Sequence, residues 1–563
     1  MSSKITFISV FLLAVFVFAV IVWYSPVLFK GYPVYTMSTN AVMARNVYQT
    51  GLYSAESDLN VFLSSNLIEE QGHISAKGNK LTSLFYAQVF KITGLPEVGN
   101  FILLSIFIHA LTLIIFTGLV FYLFDFKKAS VFSLIYIFLP FNWIMPYGLA
   151  GYEFALLFLA LFFLFYLYGI KQKKYSYLYL IIAGLFLGLA GLSREALLPI
   201  VPFLFVFLWL TKRRRHMFYI FIPFTILLAV FWLPSLGHNA YIQLFTTQVS
   251  EEVKSADYSF YGHIYPDPYT YHFEQEEFLE NLREQMSEST LMKKMGEIRG
   301  TKIMAIQEIG LFDRIKIGIM LSSRHLSRFF SLEYLGGPFI FLLILLGGYK
   351  LRQRNKHLYQ FFVYWILSTI FLLSFVILGA RDHLMDFGWA IALLVSLGLL
   401  TLSKILVEYF DLKDKKALVV YLVILLAVLY NLVLVGHVGW SKVYDNSNNS
   451  LIEAYAREIK KENISDQEVI AVNLIPGEAY SLNYLTNKSI VVFSNETVKK
   501  LLDNNKLELA FNEFGVKYIL GYSDKLTEDV LNQTEVTSIA TNSLEPVVPE
   551  MSRNRAWLMN VIK

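Results

Sequence analysis

Basic residues recur along this chain in five short clusters, and each falls in every second gap between long apolar runs. The clusters are Lys127/Lys128, Lys171/Lys173/Lys174, Lys212 to Arg215, Lys350/Arg352/Arg354/Lys356 and Lys404/Lys413/Lys415/Lys416. Lys and Arg near the ends of membrane spans are retained on the cytoplasmic side. The alternation therefore predicts the orientation of the whole chain. The intervening gaps face outside, and they hold most of the unusual polar residues.

The apolar runs are about 20 residues long, the length a roughly 30 Å hydrocarbon core requires of a helix. Backbone polar groups in lipid must pair internally, so the runs predict helices. With 55% hydrophobic and 16% charged residues, the composition excludes a soluble globular protein and a disordered one. The net charge of +4 is small and gathers in the cytoplasmic gaps, so nucleic acid binding has no support. The chain has no cysteine, which excludes disulfides and thiolate metal sites. The first run, Ile5 to Tyr24, follows Lys4 as in a signal peptide but lacks a small-residue cleavage site. It is read as an uncleaved first helix.

Eleven spans are expected, at 5–26, 99–124, 129–147, 152–170, 177–193, 195–211, 217–236, 335–349, 358–379, 384–403 and 417–440. With the amino terminus inside, all five basic clusters land inside and the carboxyl terminus outside. The expected class is thus a polytopic α-helical membrane protein with an extracytoplasmic α/β domain. Residues 1–440 form the membrane domain, with outer loops at 27–98 and 237–334, and residues 441–563 form the outer domain.

The loop 27–98 contains a short apolar stretch, Leu81 to Gly94, which suits an interfacial or re-entrant helix. The loop 237–334 opens on the aromatic-rich Tyr258 to Phe273 and continues into a charged helical pattern, Glu274 to Arg299. These aromatics fit either headgroup anchors or a substrate lining. In the tail, Val469–Asn473, Ile490–Phe493, Val516–Gly521 and Trp557–Ile562 read as strands. The stretches 450–462, 496–503 and 507–514 read as helices, which gives an alternating α/β pattern. Glycosylation sequons at Asn448, Asn463, Asn487, Asn495 and Asn532 all lie in this tail. An external domain accepts glycans there, and an Asn-rich segment also produces such triplets by chance.

Three very short outer turns carry charge. The first ends at Glu153, the second holds Arg194 and Glu195, and the third holds Arg381, Asp382 and His383. Charges at the membrane boundary are costly unless paired or hydrated. Pairing of Arg194 with Glu153 accounts for one turn, whereas three such turns on one side favour a shared polar cavity. Arginine beside headgroups suits a phosphate, whose oxygens it forks while staying charged. A carboxylate opposite suits a general base acting on a hydroxyl. This constellation fits moving a group from a lipid phosphate to an acceptor outside the cytoplasm. No phosphate-binding glycine loop and no histidine pair at metal-ligand spacing is present.

Taken together, the arrangement resembles the GT-C superfamily of polytopic glycosyltransferases, in particular its protein O-mannosyltransferase and aminoarabinose transferase branch. AVMARNVYQTGLY, Ala41–Tyr53, is similar to the amphipathic segment behind the family's first catalytic acid. KLTSLFYAQVFKITGL, Lys80–Leu95, resembles its lysine-bearing interfacial helix. PYGLAGYEFALLFLALFFLF, AGLFLGLAGLSREALLPIVP and ARDHLMDFGWAIALL resemble its charged outer turns. SLNYLTNKSIVVF and FGVKYILGY resemble strands of its outer domain.

The resemblance implies a polyprenyl-phosphate sugar as donor and inversion at the anomeric carbon, at the outer face of the cell membrane. It implies an acceptor glycan, lipid or protein. An outer acid would deprotonate that acceptor, and basic residues would hold the lipid phosphate, with Lys80, Arg194 and Arg381 as the candidates. No cofactor is required, and a divalent cation is compatible with the reading. One departure is plain. Where the family carries Asp, often Asp-Glu, this chain reads Tyr35-Thr36-Met37-Ser38-Thr39-Asn40. The base is then Glu153, Glu56 or Asp58, with Glu195, Asp382 and His383 lining the cavity, or transfer has been lost. Two other readings stand beside transfer: a non-catalytic relative that binds polyprenyl lipid or partner proteins, and an O-antigen-type ligase or polymerase.

Overall fold

The computed structural model describes residues 34–53, 61–67, 80–94, 98–139, 152–172, 175–194, 197, 200–245, 311–327, 330, 336–372, 374–375, 387–434, 447–474, 476–493 and 495–539. In chain order the elements begin with α1 (Val34–Thr50), β1 (Val61–Phe62), α2 (Lys80–Thr93), α3 (Val98–Leu123), α4 (Phe126–Phe138), α5 (Tyr152–Lys171) and α6 (Ser176–Ser193). They continue with α7 (Ile200–Leu210), α8 (Arg214–Phe245), α9 (Leu311–Ser327), α10 (Gly337–Arg354), α11 (Lys356–Leu372), α12 (Gly388–Tyr409) and α13 (Lys416–Leu434). The last part holds α14 (Ser447–Lys461), β2 (Val469–Val472), α15 (Pro476–Thr486), β3 (Ser489–Val492), α16 (Asn495–Asp503), α17 (Leu507–Phe514), β4 (Val516–Leu520), α18 (Asp524–Gln533) and β5 (Thr537–Ser538). Two compact units emerge, one from 1–28, 97–231 and 314–444, the other from 29–96, 232–313 and 445–563.

The first unit is helical. Among the described residues five helical stretches are long and apolar enough to cross a membrane: Tyr152–Lys171, Ser176–Ser193, Arg214–Phe231, Gly388–Tyr409 and Lys413–Leu434. Phe107–Leu123 and Ile200–Leu210 are shorter apolar helices. Helices thus stand where the apolar runs from residue 99 onward predict them, while the run at 5–26 lies outside the described residues. Exposed leucines and aromatics such as Phe121, Phe218, Leu345 and Tyr421 stud this unit. Such a surface is costly in water and ordinary against lipid.

Small residues bring its helices together. A methyl added at Gly347 of α10 would overlap the Leu394 carbonyl of α12, and one at Gly398 of α12 would overlap the Leu343 carbonyl of α10. The packing is reciprocal, each glycine resting on the backbone one turn before the other, as in membrane helix pairs built on small residues. Gly347→Ala is therefore expected to destabilise the protein in detergent by about 1–3 kcal/mol. Gly118 of α3 has nothing within 4 Å of such a methyl. Gly118→Ala should be neutral or raise stability by up to ~1 kcal/mol. Thermal unfolding of the two variants side by side checks both.

The second unit is built on a five-stranded sheet of order β1-β3-β2-β4-β5. The four strands from β2 to β5 pair in parallel, and β1 adds to β3 antiparallel, with Val61 opposite Val491 and Phe62 opposite Ile490. β2 and β3 are buried along their whole length, as parallel strands covered on both faces are. One face packs Ile470, Val472, Ile490 and Val492 against Tyr455 and Ile459 of α14, Tyr480 of α15, and Val42 and Met43 of α1. The other packs Ala471, Val491 and Ile519 against Val498, Phe511 and Val530. The sheet unit thus holds more than the segment 441–563: it draws in 29–96 and 232–313. The expected strands at 469–473, 490–493 and 516–521 and the expected helices at 450–462, 496–503 and 507–514 are present within a few residues. Of SLNYLTNKSIVVF, likened to a strand, only Ser489–Val492 is one: Ser481–Thr486 belongs to helix α15, and α18 and strand β1 come in addition. The stretches 258–273, 274–299 and 557–562 lie outside the described residues.

Candidate active site

In the first unit α5 and α6 pack as an antiparallel pair, which brings the first turn of α5 to the last turn of α6. Glu153 stands in that first turn and is fully buried, beside Tyr152 at 2% exposure. Ser193 ends α6, and Arg194 caps it in an extended conformation while its N–H still donates to the Ala190 carbonyl. The Arg194 guanidinium carbon lies 3.5 Å from the centre of the Tyr152 ring. The turn that ends at Glu153 and the turn that holds Arg194 therefore meet through this ring contact. A guanidinium flat on a tyrosine is held by cation–π attraction, worth about 2 kcal/mol when desolvated.

The third charged turn, with Arg381, Asp382 and His383, lies outside the described residues, as do Glu195, Glu56 and Asp58. The helix after that turn is firmly anchored. Trp389 stacks on Phe116 of α3 at 5.1 Å, sits 4.8 Å from Phe163 of α5 and 5.0 Å from Phe362 of α11, and Phe387 meets Trp365 at 5.3 Å. Paired aromatic rings of this kind fix both distance and orientation. The first turn of α12 is thereby tied to the same helix, α5, that carries Glu153.

In the second unit the window without a carboxylate begins α1. Ser38, Thr39 and Asn40 are buried, and Ser83 of α2 lies 3.4 Å from the Asn40 amide oxygen. Thr82 and Ser83 are fully buried. Lys80 is the first residue of α2, so the lysine-bearing helix does start beside the acid-less window. The face of α2 with Leu81, Tyr86 and Phe90 is buried, while Phe85 and Ile92 are exposed. That apolar exposure fits the interfacial character expected of 81–94.

Sequence reasoning did not single out three residues that the structure brings forward. Tyr152 is the ring on which Arg194 rests, and its only signal was adjacency to Glu153. Glu478, in the first turn of α15, joins Glu153 as a buried carboxylate among the described residues. Arg45, quoted only inside an amphipathic segment, is a buried charge at 2% exposure. Among the described residues no three His, Asp or Glu side chains gather as a metal site.

No family model and no curated protein sequence matches the chain. Solved structures do. The oligosaccharyltransferase AglB from Archaeoglobus fulgidus, in complex with an inhibitory peptide and a dolichol-phosphate, aligns at TM-score 0.53 and 12% identity over 92% of this chain and 69% of that one. ArnT from Cupriavidus metallidurans in the apo state, an aminoarabinose transferase, aligns at TM-score 0.53 and 11% identity over 89% of this chain and 92% of that one. This chain has the GT-C fold. The likeness covers most of the chain, and together with the five helices long and apolar enough to cross a membrane it supports a multi-pass membrane protein. A second AglB structure, in complex with Zn and sulfate, aligns at TM-score 0.52 and 12% identity over 90% of this chain and 67% of that one.

Proposed function

We propose that this GT-C chain is a glycosyltransferase that moves a sugar from a polyprenyl-phosphate donor to an acceptor at the outer face of the membrane. The observation that carries the reading is Arg194 stacked on Tyr152, the residue next to the fully buried Glu153. In this mechanism Glu153 takes the proton of an acceptor hydroxyl as its oxygen attacks the anomeric carbon. The bond from that carbon to the phosphate oxygen breaks, and the polyprenyl phosphate leaves with the electron pair. Arg194, with Arg381 and Lys80, balances the charge that grows on the leaving phosphate. Glu56 and Asp58 are the alternative bases, and Glu195, Asp382 and His383 line the cavity. The similar AglB structure with a bound dolichol-phosphate supports a lipid phosphate as the donor's leaving part. The zinc-bound AglB structure makes a divalent cation compatible with the fold, and no step above is routed through one.

A second reading, a relative that binds polyprenyl lipid without transfer, rests on the window 35–40. It holds no carboxylate, and its Ser38, Thr39 and Asn40 are packed away. Turnover decides between the two. Purified wild-type chain supplied with a polyprenyl-phosphate sugar and an acceptor extract should release free polyprenyl phosphate. Binding of the donor without release would favour the second reading.

The proposed sidedness, eleven spans with the amino terminus inside and 441–563 outside, has its own test. The native chain has no cysteine, so thiol labelling reads introduced sites alone. Ser447→Cys should react with an impermeant reagent in intact cells, and Arg213→Cys should not. The reverse pattern would place the candidate site on the cytoplasmic face and end the reading.

A further inference from the structure

Helix α9 carries an exposed apolar face. Phe312, Ile315, Ile319 and Leu326 all stand open, Phe312 at 87% and Ile319 at 59% exposure. Their spacing of three, four and seven residues puts them on one side of the helix. The helix rests on the protein by another side. There His325 is buried, and a methyl added at Gly318 would overlap the Phe375 ring.

The contact at Gly318 sets the depth of the helix. Phe375, just beyond the end of α11, stacks on Phe371 at 5.0 Å. Phe371 ends an exposed apolar stripe of α11 that includes Tyr364 and Leu367, a surface ordinary against lipid. The stripe runs from Lys356, the last residue of a basic cluster, and no Asp, Glu, Lys or Arg lies between Lys356 and Phe375. Along a helix those two residues stand about 29 Å apart, one thickness of a roughly 30 Å hydrocarbon core. Helix α9 therefore meets the protein where the lipid-facing stripe ends, at the membrane boundary opposite the basic cluster.

The composition of α9 suits that depth. Arg314, Lys316 and Arg324 stand against Asp313 alone, which is too much charge for a span. A helix surrounded by water does not gain by leaving Phe312 and Ile319 open. A helix lying in the bilayer surface meets both conditions: its apolar side enters the acyl boundary, and its basic residues attract anionic headgroups.

We propose that α9 is an in-plane membrane helix, with Phe312, Ile315, Ile319 and Leu326 seated in lipid and its basic residues selecting anionic headgroups. It ties the end of the loop 237–334 to the membrane surface. This rests on α11 as a membrane span and is independent of the glycosyltransferase reading.

The test uses the full chain in vesicles of phosphatidylcholine with phosphatidylglycerol. With no native cysteine, a fluorophore on Ile319→Cys reports this face alone. Ile315→Cys repeats the reading if that variant folds poorly. Leu367→Cys on the lipid-facing stripe and Glu528→Cys, exposed in the sheet unit, serve as references. The Ile319→Cys label should be quenched by brominated lipid and resist aqueous iodide, as the Leu367→Cys label does. At low mole fraction, brominated phosphatidylglycerol should quench it about fivefold more than brominated phosphatidylcholine, the scale of one Lys or Arg beside an anionic surface. Arg314→Gln, Lys316→Gln and Arg324→Gln together should level the two lipids. Iodide quenching equal to that of Glu528→Cys overturns the membrane seat. Protection from both iodide and brominated lipid also overturns it, and assigns the face to a protein partner such as a second copy. Lipid contact with equal quenching by the two lipids overturns the selection of anionic headgroups.

Discussion

Glu153→Gln is expected to lower sugar transfer by about 10²- to 10⁴-fold, the range a general base contributes. The substitution keeps the size and a hydrogen-bonding oxygen while removing the group that takes the proton. Glu153 is fully buried at the first turn of α5, so a neutral amide fits there and donor affinity should change little. Measured as kcat/KM with a polyprenyl-phosphate sugar, the loss should sit in kcat. Glu56→Gln and Asp58→Asn, made separately, locate the base in the first outer segment if Glu153→Gln keeps full activity. Full activity in all three would remove a carboxylate base of this set from the mechanism.

Arg194→Ala should weaken donor binding or abolish transfer, since deleting one partner of a charge-assisted hydrogen bond in a desolvated site costs about 2–5 kcal/mol. At ~1.4 kcal/mol per decade this is about thirtyfold to several-thousandfold. Arg194→Lys should restore only part of it, because an ammonium neither lies flat on Tyr152 nor forks two phosphate oxygens. Tyr152→Leu should then reproduce a share of the loss by freeing the guanidinium. Arg381→Ala is expected to behave as Arg194→Ala does. Wild-type donor affinity in either alanine variant takes that arginine out of the phosphate site.

The sequence made the membrane helices legible because lipid imposes one rule on every span, an apolar run of fixed length. The strands β2, β3 and β4 were legible for a related reason: buried parallel strands read as short β-branched runs such as Val469–Val472. Helix α15 was hidden by its opening Pro476-Gly477, which reads as a turn, although proline is well suited to the first turn of a helix. β1 was hidden by its length, since two residues cannot show an alternation. Its partner strand lies at the far end of the chain, and only tertiary packing reveals the pairing.

The candidate site divides the same way. Charge singled out Glu153 and Arg194 in two short turns, and the structure places Arg194 on Tyr152, next to Glu153 in sequence. The role of the Tyr152 ring was not legible, since any aromatic near a helix start serves equally well as a headgroup anchor. The buried hydrogen bonding of Arg45 was beyond sequence for a sharper reason. Several of its acceptors are backbone carbonyls, and every residue supplies one.

The central claim, transfer of a sugar from a polyprenyl phosphate, is tested most directly in reconstituted liposomes. Purified chain would be given a polyprenyl-phosphate sugar labelled in the sugar, together with a membrane and glycan extract as acceptor. The account predicts that label leaves the lipid for the acceptor fraction, that free polyprenyl phosphate appears in equal amount, and that Glu153→Gln suppresses both. Saturable donor binding with no movement of label, whatever the sugar on the polyprenyl phosphate, would contradict it.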